Sequence, residues 1–131
     1  MALTVPTVTR DVETNAVVDT FDGGTLEFQH TAANATAGVN EVATCTFGTP
    51  AFGASSAAVT GRADANAIGS DTNADGGLVG WFTIFSSGAA NLLQGTVTLT
   101  GNGGDIFLSS LTVGATDTVT MSTLTFTTPA S

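Results

Sequence analysis

Segment 78–86 constrains the fold of this chain more than any other stretch, because it is apolar on both faces of a strand. Trp81 and Phe85 alternate with Phe82 and Ile84, which is the two-residue period of β structure without a polar side. Such a strand is central in its sheet and covered on both sides. We expect the domain core on one side and either a helix or a partner chain on the other.

Further short apolar or alternating segments recur about every ten residues, separated by Gly, Asn and Asp. The predicted strands are 25–29, 42–47, 63–68, 78–86, 92–100, 106–110, 111–113 and 118–128, the last with a one-residue phase slip typical of a β-bulge. Many short strands at this spacing are typical of antiparallel sandwiches and barrels. The sequence therefore predicts a mainly β fold, an antiparallel β-sandwich or barrel-like domain with one short N-terminal helix.

The N-terminal region is predicted to contain an arm and a helix. Pro6 fixes φ and removes a donor, so residues 1–9 are expected to form an extended arm. Residues 10–131 are expected to form a single β-rich domain, since 131 residues is an ordinary domain size. Segment 9–21 is predicted to be the helix, capped by Thr9.

Two side-chain patterns predict which residues are buried near the N-terminus. In segment 9–21, Asp11 and Glu13 are expected in the first turn of the helix. Its apolar face is expected to consist of Val12, Ala16, Val17 and Phe21. In segment 25–29, Leu26 and Phe28 are expected to face the core, with Glu27 and Gln29 on the opposite side of a half-buried strand.

The charge of the chain excludes several kinds of partner. It carries two Arg or Lys residues against 11 Asp or Glu residues, a formal net charge of −9. Two cations cannot neutralise a run of phosphates, so nucleic-acid binding and attraction to an anionic membrane are not expected. The Thr-, Ser- and Asn-rich surface that replaces Lys and Glu loses little side-chain entropy when another protein docks on it.

The sequence does not favour an enzyme. Cys45 is the only cysteine and lies in an apolar segment, where a buried hydrophobic role is expected. Nucleophilic catalysis by Cys or Ser would depend entirely on His30, the only histidine. Carboxylates are not set among Trp and Tyr platforms, since the chain has one Trp and no Tyr. We therefore expect no catalytic residues and no enzymatic activity.

Residues 71–76 match the first half of a calcium-binding loop. Asp71, Asn73 and Asp75 supply oxygen ligands at alternating positions, and Gly76 permits the sharp turn. The twelfth position is Phe82, where a bidentate Glu belongs, and a strand follows in place of a helix. Asp, Asn and Gly also favour an ordinary turn. We interpret the loop as a turn without a cofactor, and a calcium site is the alternative.

Three stretches carry a resemblance to known proteins. They are the opening MALTVPTVTRDVETNAVVDTFD, the middle with Phe47, TPAFGA at 49–54, Ala67-Ile68, Ser70-Asp71 and Gly80-Trp81-Phe82, and the closing TLTFTTP at 123–129. In these stretches, over nearly the full length, the chain resembles small virion proteins of tailed bacteriophages and prophages that are encoded among the head genes.

This resemblance implies a non-enzymatic capsid cement or decoration protein. The implied protein is made in the bacterial cytoplasm, binds the major capsid protein on the outer surface of the head as a homotrimer, and stabilises contacts between capsomers. The arm residues Leu3, Val5 and Pro6 are the expected protein interface. The alternatives are a carbohydrate- or host-surface-binding module of a tail or fibre, and a head–tail joining or tail structural protein. Trp81 is expected in the core, with an interface anchor as its other possible role.

Overall fold

The computed structural model describes residues 4–55 and 61–128. This part of the chain is mainly β and contains one α-helix, as predicted. The elements, in chain order, are α1 (Thr7–Asp19), β1 (Thr25–Gln29), β2 (Glu41–Phe47), β3 (Arg62–Asp64), β4 (Ile68–Gly69), β5 (Gly77–Leu78), β6 (Trp81–Phe85), β7 (Asn91–Leu99), β8 (Ile106–Leu108), β9 (Thr112–Val113) and β10 (Thr125–Thr127). Within residues 4–55 and 61–128 no helix is long and apolar enough to cross a membrane.

Six strands form one sheet that curls into a half-barrel. Its order is β4-β2-β1-β6-β7-β8, and two small sheets, β10-β3 and β5-β9, lie beside it. Neighbouring strands run antiparallel, except that β7 and β8 are parallel. The predicted barrel-like architecture is therefore confirmed in its coarse form, with a mixed sheet in place of a purely antiparallel one.

β6 is the central strand that the sequence predicts. It lies between β1 and β7, and Phe82, Thr83, Ile84 and Phe85 are all buried. The predicted strand 78–86 is nevertheless two elements, because the chain turns before Trp81 and β5 pairs with β9. The predicted strand 63–68 is likewise divided into β3 and β4, which belong to different sheets.

The helix begins and ends two residues earlier than predicted. Pro6 occupies the N-cap position, and its carbonyl accepts the Arg10 N–H at 3.0 Å. Pro is tolerated at this position because the N–H that it lacks takes no part in the hydrogen bonds within the helix. Residues 7–9 of the predicted arm therefore form the first helical turn, and Thr9 lies within the helix, where it is not a cap.

The buried face of α1 is also different from the predicted one. Val12 is 62% exposed and Val17 is 38% exposed, whereas Thr14 and Val18 are buried. The helix packs against β3 and β10 through the side that carries Thr14, because polar bonds hold it there. Phe21 does enter the core, but from the turn that follows the helix.

Phe21 is at the centre of an aromatic cluster that joins the elements of the fold. Its ring centroid lies 6.0 Å from that of Phe47, 5.7 Å from that of Phe52 and 6.2 Å from that of Phe126. These rings come from the α1–β1 turn, β2, the segment after β2, and β10. The cluster therefore fixes the small β10-β3 sheet against one end of the half-barrel.

The region after β7 differs most from the prediction. The predicted strand 118–128 is regular only in β10, while Val119 forms an isolated bridge with Asp71. The predicted strands 106–110 and 111–113 are the shorter β8 and β9. Residues 120–124 connect these pairings without belonging to a strand, so the C-terminal part of the barrel wall is open.

Candidate functional site

Cys45 and His30, the two residues on which nucleophilic catalysis would depend, lie in different parts of the fold. Cys45 is fully buried in β2, with its Sγ 3.6 Å from the carbonyl oxygen of Val119. Burial raises the pKa of the Cys45 thiol, so it is not the exposed thiolate that a nucleophile requires. His30 directly follows β1, and its Nδ1 lies 2.7 Å from the hydroxyl of the adjacent Thr31.

The Asp71 carboxylate fastens the 71–76 loop to the sheet. One oxygen accepts the Thr44 N–H at 2.8 Å, and the other accepts the Asn73 N–H at 2.9 Å. Asp75 is exposed. Within the described ranges, no three His, Cys, Asp or Glu side chains lie close enough together to hold a metal ion. The contacts of Asp71 are those of a residue that shapes a turn.

A buried polar network lies on the face of β1 that was predicted to be open. Glu27 is 3% exposed and Gln29 is fully buried, which contradicts the prediction of a half-buried strand. The Glu27 carboxylate accepts the Gly38 N–H at 3.0 Å and the Gln29 amide at 3.1 Å. The Gln29 carbonyl accepts the Asn34 N–H and the Thr83 hydroxyl, both at 2.9 Å. The network thus holds the 30–40 loop over the sheet.

Burial in this network changes the pKa of Glu27. Burial raises the pKa of Glu27, against the lowering effect of the Gly38 N–H. The folded state therefore binds this proton more tightly than the unfolded chain does. Its contribution to stability is fully present below the ordinary pKa of a glutamate, and it is lost as the pH rises through the raised value.

We expect Glu27→Gln to remove this contribution while keeping an oxygen that accepts the Gly38 N–H. The free energy of unfolding of the unaltered chain should fall, relative to that of the variant, as the pH rises from about 4 to about 8. Urea unfolding of both proteins across this range measures the difference. Parallel pH profiles would contradict a raised pKa at Glu27.

The predicted interface residues lie at the N-cap of α1 and before it in the chain. Leu3 lies outside the described residues, Val5 is half-buried and Pro6 is exposed. On the helix that follows, Val8 is 74% exposed and Val12 is 62% exposed. Positions four apart are neighbours on a helix surface, so Val8 and Val12 form an exposed apolar pair, here called the N-terminal stripe. Their exposure was not predicted, because the helix packs through a different face.

Polar bonds made by other side chains of the helix hold the N-terminal stripe in place. The Asp11 carboxylate accepts the Gly61 N–H at 2.8 Å and the Ser55 hydroxyl at 2.6 Å. The Thr14 hydroxyl lies 2.8 Å from the Gly61 carbonyl oxygen and 2.7 Å from the Thr128 hydroxyl. The Gly61 N–H, and then the Ser55 hydroxyl, hold the pKa of the Asp11 carboxyl below its ordinary value. The stripe is therefore presented on an anchored helix.

Trp81 lies at the surface rather than deep in the core. It is half-buried and, together with His30, Leu78 and Val79, it lines a surface depression of about 600 Å³. Leu78 is 63% exposed. The depression is mainly apolar and includes the His30 ring. It is the second exposed apolar feature that a partner or ligand can contact.

Three comparisons with known proteins were made for this chain. No family model, no curated protein and no solved structure matches the chain.

Proposed function

We propose that this chain is a non-enzymatic structural protein of a tailed-phage virion. Its role is that of a capsid cement or decoration protein, which binds the major capsid protein on the outer surface of the head and stabilises the contacts between capsomers. The resemblance of its opening, middle and closing segments to head-gene virion proteins supports the virion setting. The N-terminal stripe supports a role in binding other protein chains.

The N-terminal stripe is the observation that carries the proposal. Val8 is the most exposed large apolar side chain in the described part of the chain, at 74%, and Val12 lies one helical turn away at 62%. Burying a valine side chain contributes about 1.5–3 kcal/mol. Because α1 is already anchored through Asp11 and Thr14, a partner that covers the stripe need not order the helix first.

The charge and surface composition are consistent with a protein that binds other proteins. The net charge of −9 disfavours nucleic acid and anionic lipid as the partner. Exposed Thr and Ser side chains provide polar contact area at a small entropy cost. These properties suit a surface that packs on a protein shell.

The depression at Trp81 favours a second candidate, a carbohydrate- or host-surface-binding module of a tail or fibre. Aromatic rings present an apolar face to sugars while their polar edge stays in water, and Trp81 lies beside His30 and the exposed Leu78. A glycan array probed with the unaltered chain and with Trp81→Ala tests this candidate. Binding that disappears in the variant would favour it over capsid decoration.

Adding charge to the N-terminal stripe should abolish capsid binding. We expect Val8→Asp/Val12→Asp to lower co-sedimentation with purified, expanded heads at least tenfold, because two carboxylates would be desolvated at the interface. The heads are taken from a tailed phage whose genome encodes this chain, stripped of the protein itself. The rise in the melting temperature of the heads on adding the unaltered chain should be lost as well.

The matched control adds the same two charges at exposed turn positions, Ser87→Asp/Asn102→Asp. This variant should bind heads as the unaltered chain does. Co-sedimentation of the unaltered chain with tails but not with heads would refute capsid decoration and favour the tail alternatives. Equal head binding by both double variants would exclude the stripe as the contact surface.

A further inference from the structure

An open groove runs between the edge of the six-stranded sheet and the segment that precedes β10. One wall is residues 105–109, which include β8, and the other is residues 120–125. The groove has a volume of about 490 Å³, within the range of protein ligand sites. It coincides with the opening in the barrel wall.

β8, in the first wall, is paired on its far side only, and the second wall is an irregular segment that leads into β10. β8 pairs with β7, and β10 pairs with β3. The second wall is also held from behind, where the Leu124 carbonyl accepts the Ala65 N–H at 2.8 Å. No backbone hydrogen bond joins residues 105–109 to residues 120–125 in the described chain. An exposed strand edge of this kind is a template for pairing with another extended segment.

The side chains that line the groove indicate what the inserted segment should be. Ile106 and Met121 are buried beneath it, and Leu108 and Leu124 are half-buried along it. Phe107 is 51% exposed at its edge. The matching occupant is an extended segment of about five residues, apolar at alternate positions, and without the negative charge that an acidic chain would repel.

The N-terminal segment of this chain meets these requirements. In residues 1–5, Met1, Leu3 and Val5 alternate with Ala2 and Thr4, and none of the five side chains is charged. Five extended residues span about 17 Å, the length of five residues of strand wall. Pro6, which lacks an N–H for pairing, follows directly.

The segment fits the groove of another copy better than its own. Arg10 donates from Nη2 to the Thr128 carbonyl oxygen at 3.0 Å, which places the start of α1 near the far end of β10. The groove ends at Thr125, so the segment of the same copy would have to run the length of β10 before reaching it. A second copy is free of this restriction.

We propose that the groove between β8 and residues 120–125 is the docking site for residues 1–5 of a second copy of this chain. The docked segment adds a strand to the edge of β8 and directs Leu3 towards Ile106 and Met121. Reciprocal exchange of the segment gives a two-fold dimer, and one-way exchange builds a closed ring when the rotation between copies closes. The inference concerns self-association and is independent of the virion role.

Cysteine pairing between separately altered full-length chains tests this inference. A mixture of Leu3→Cys with Leu108→Cys should form a disulfide-linked dimer under mild oxidation, because Leu108 lies on the same face of β8 as Ile106. The yield should exceed, by at least tenfold, that of Leu3→Cys mixed with Asn102→Cys, which places the thiol in the exposed β7–β8 turn. Cys45 is fully buried and stays out of the exchange. Equal yields in the two mixtures would overturn the proposal, as would a Leu3→Cys/Leu108→Cys chain that links only within itself.

Sedimentation provides a second measurement that does not depend on the disulfide. The unaltered chain should sediment as an oligomer, and removal of residues 1–5 or Phe107→Asp should shift it to the monomer. Thermal unfolding of each variant confirms that the domain is still folded. A folded, unaltered chain that remains monomeric at its highest soluble concentration would refute docking. No capsid is involved, so this result does not decide the proposed function.

Discussion

Replacing Phe21 by alanine is expected to lower the free energy of unfolding by about 3–5 kcal/mol, the usual cost of removing a buried aromatic side chain. Phe21 is 1% exposed and contacts three other rings, Phe47, Phe52 and Phe126. These rings belong to three separate parts of the chain, so the cavity cannot close by moving one of them alone. For a domain of this size the loss corresponds to a fall in melting temperature of roughly 10–20 °C.

Urea unfolding followed by circular dichroism measures this loss. Leu78→Ala is the control, because Leu78 is 63% exposed and its truncation should cost less than about 1 kcal/mol. A Phe21→Ala chain as stable as this control would show that the aromatic cluster does not hold the β10-β3 sheet on the half-barrel.

The second large effect is expected at Gly24, between the α1–β1 turn and β1. A methyl group built on Gly24 would lie 2.1 Å from the Phe85 carbonyl oxygen and 3.1 Å from that of Phe21. Both neighbours are backbone, so neither can rotate away. Gly24→Ala must therefore separate β1 from β6 or displace the turn, and we expect a loss of about 3 kcal/mol or more, the upper end for overpacking.

Gly103→Ala is the matched control for Gly24→Ala. Gly103 lies in the β7–β8 turn, and a methyl group there would meet nothing within 4 Å. This substitution should leave stability unchanged or raise it by about 0.4–1 kcal/mol, because alanine restricts the unfolded chain. Equal melting temperatures for the two variants would show that β1 and β6 separate at Gly24 without cost.

The sequence predicted the coarse fold because the strongest patterns are local. The apolar period of residues 81–85 specifies a strand buried on both sides, and the structure places that strand between β1 and β7. The burial of Cys45 and the extent of β1 and β2 follow from similar runs. The parallel pairing of β7 with β8 was not predictable, since it depends on how the 100–105 turn redirects the chain.

The candidate site was only partly predictable from the sequence. The sequence indicated the N-terminal region as the protein interface and named Leu3, Val5 and Pro6. The large apolar side chains that the structure exposes in this region are Val8 and Val12. The sequence pattern had assigned Val12 to the buried face, because apolar spacing alone does not account for polar anchoring. The hydrogen bonds of Asp11 and Thr14 to Gly61 turn the valines outward, and these partners lie about fifty positions away in the chain.

Segment 78–86 shows most clearly what each level determined. The sequence by itself determined that residues 81–85 are apolar on both faces, and a strand with this composition is stable only in the middle of a sheet. Only the tertiary structure decided what covers the strand and where it begins. The 30–40 loop covers one face, because Gln29 bonds to both Asn34 and Thr83. Residues 77–78 leave the strand because β9, more than thirty residues later, offers them a partner. Such pairings join segments distant in the chain, and no local pattern encodes them.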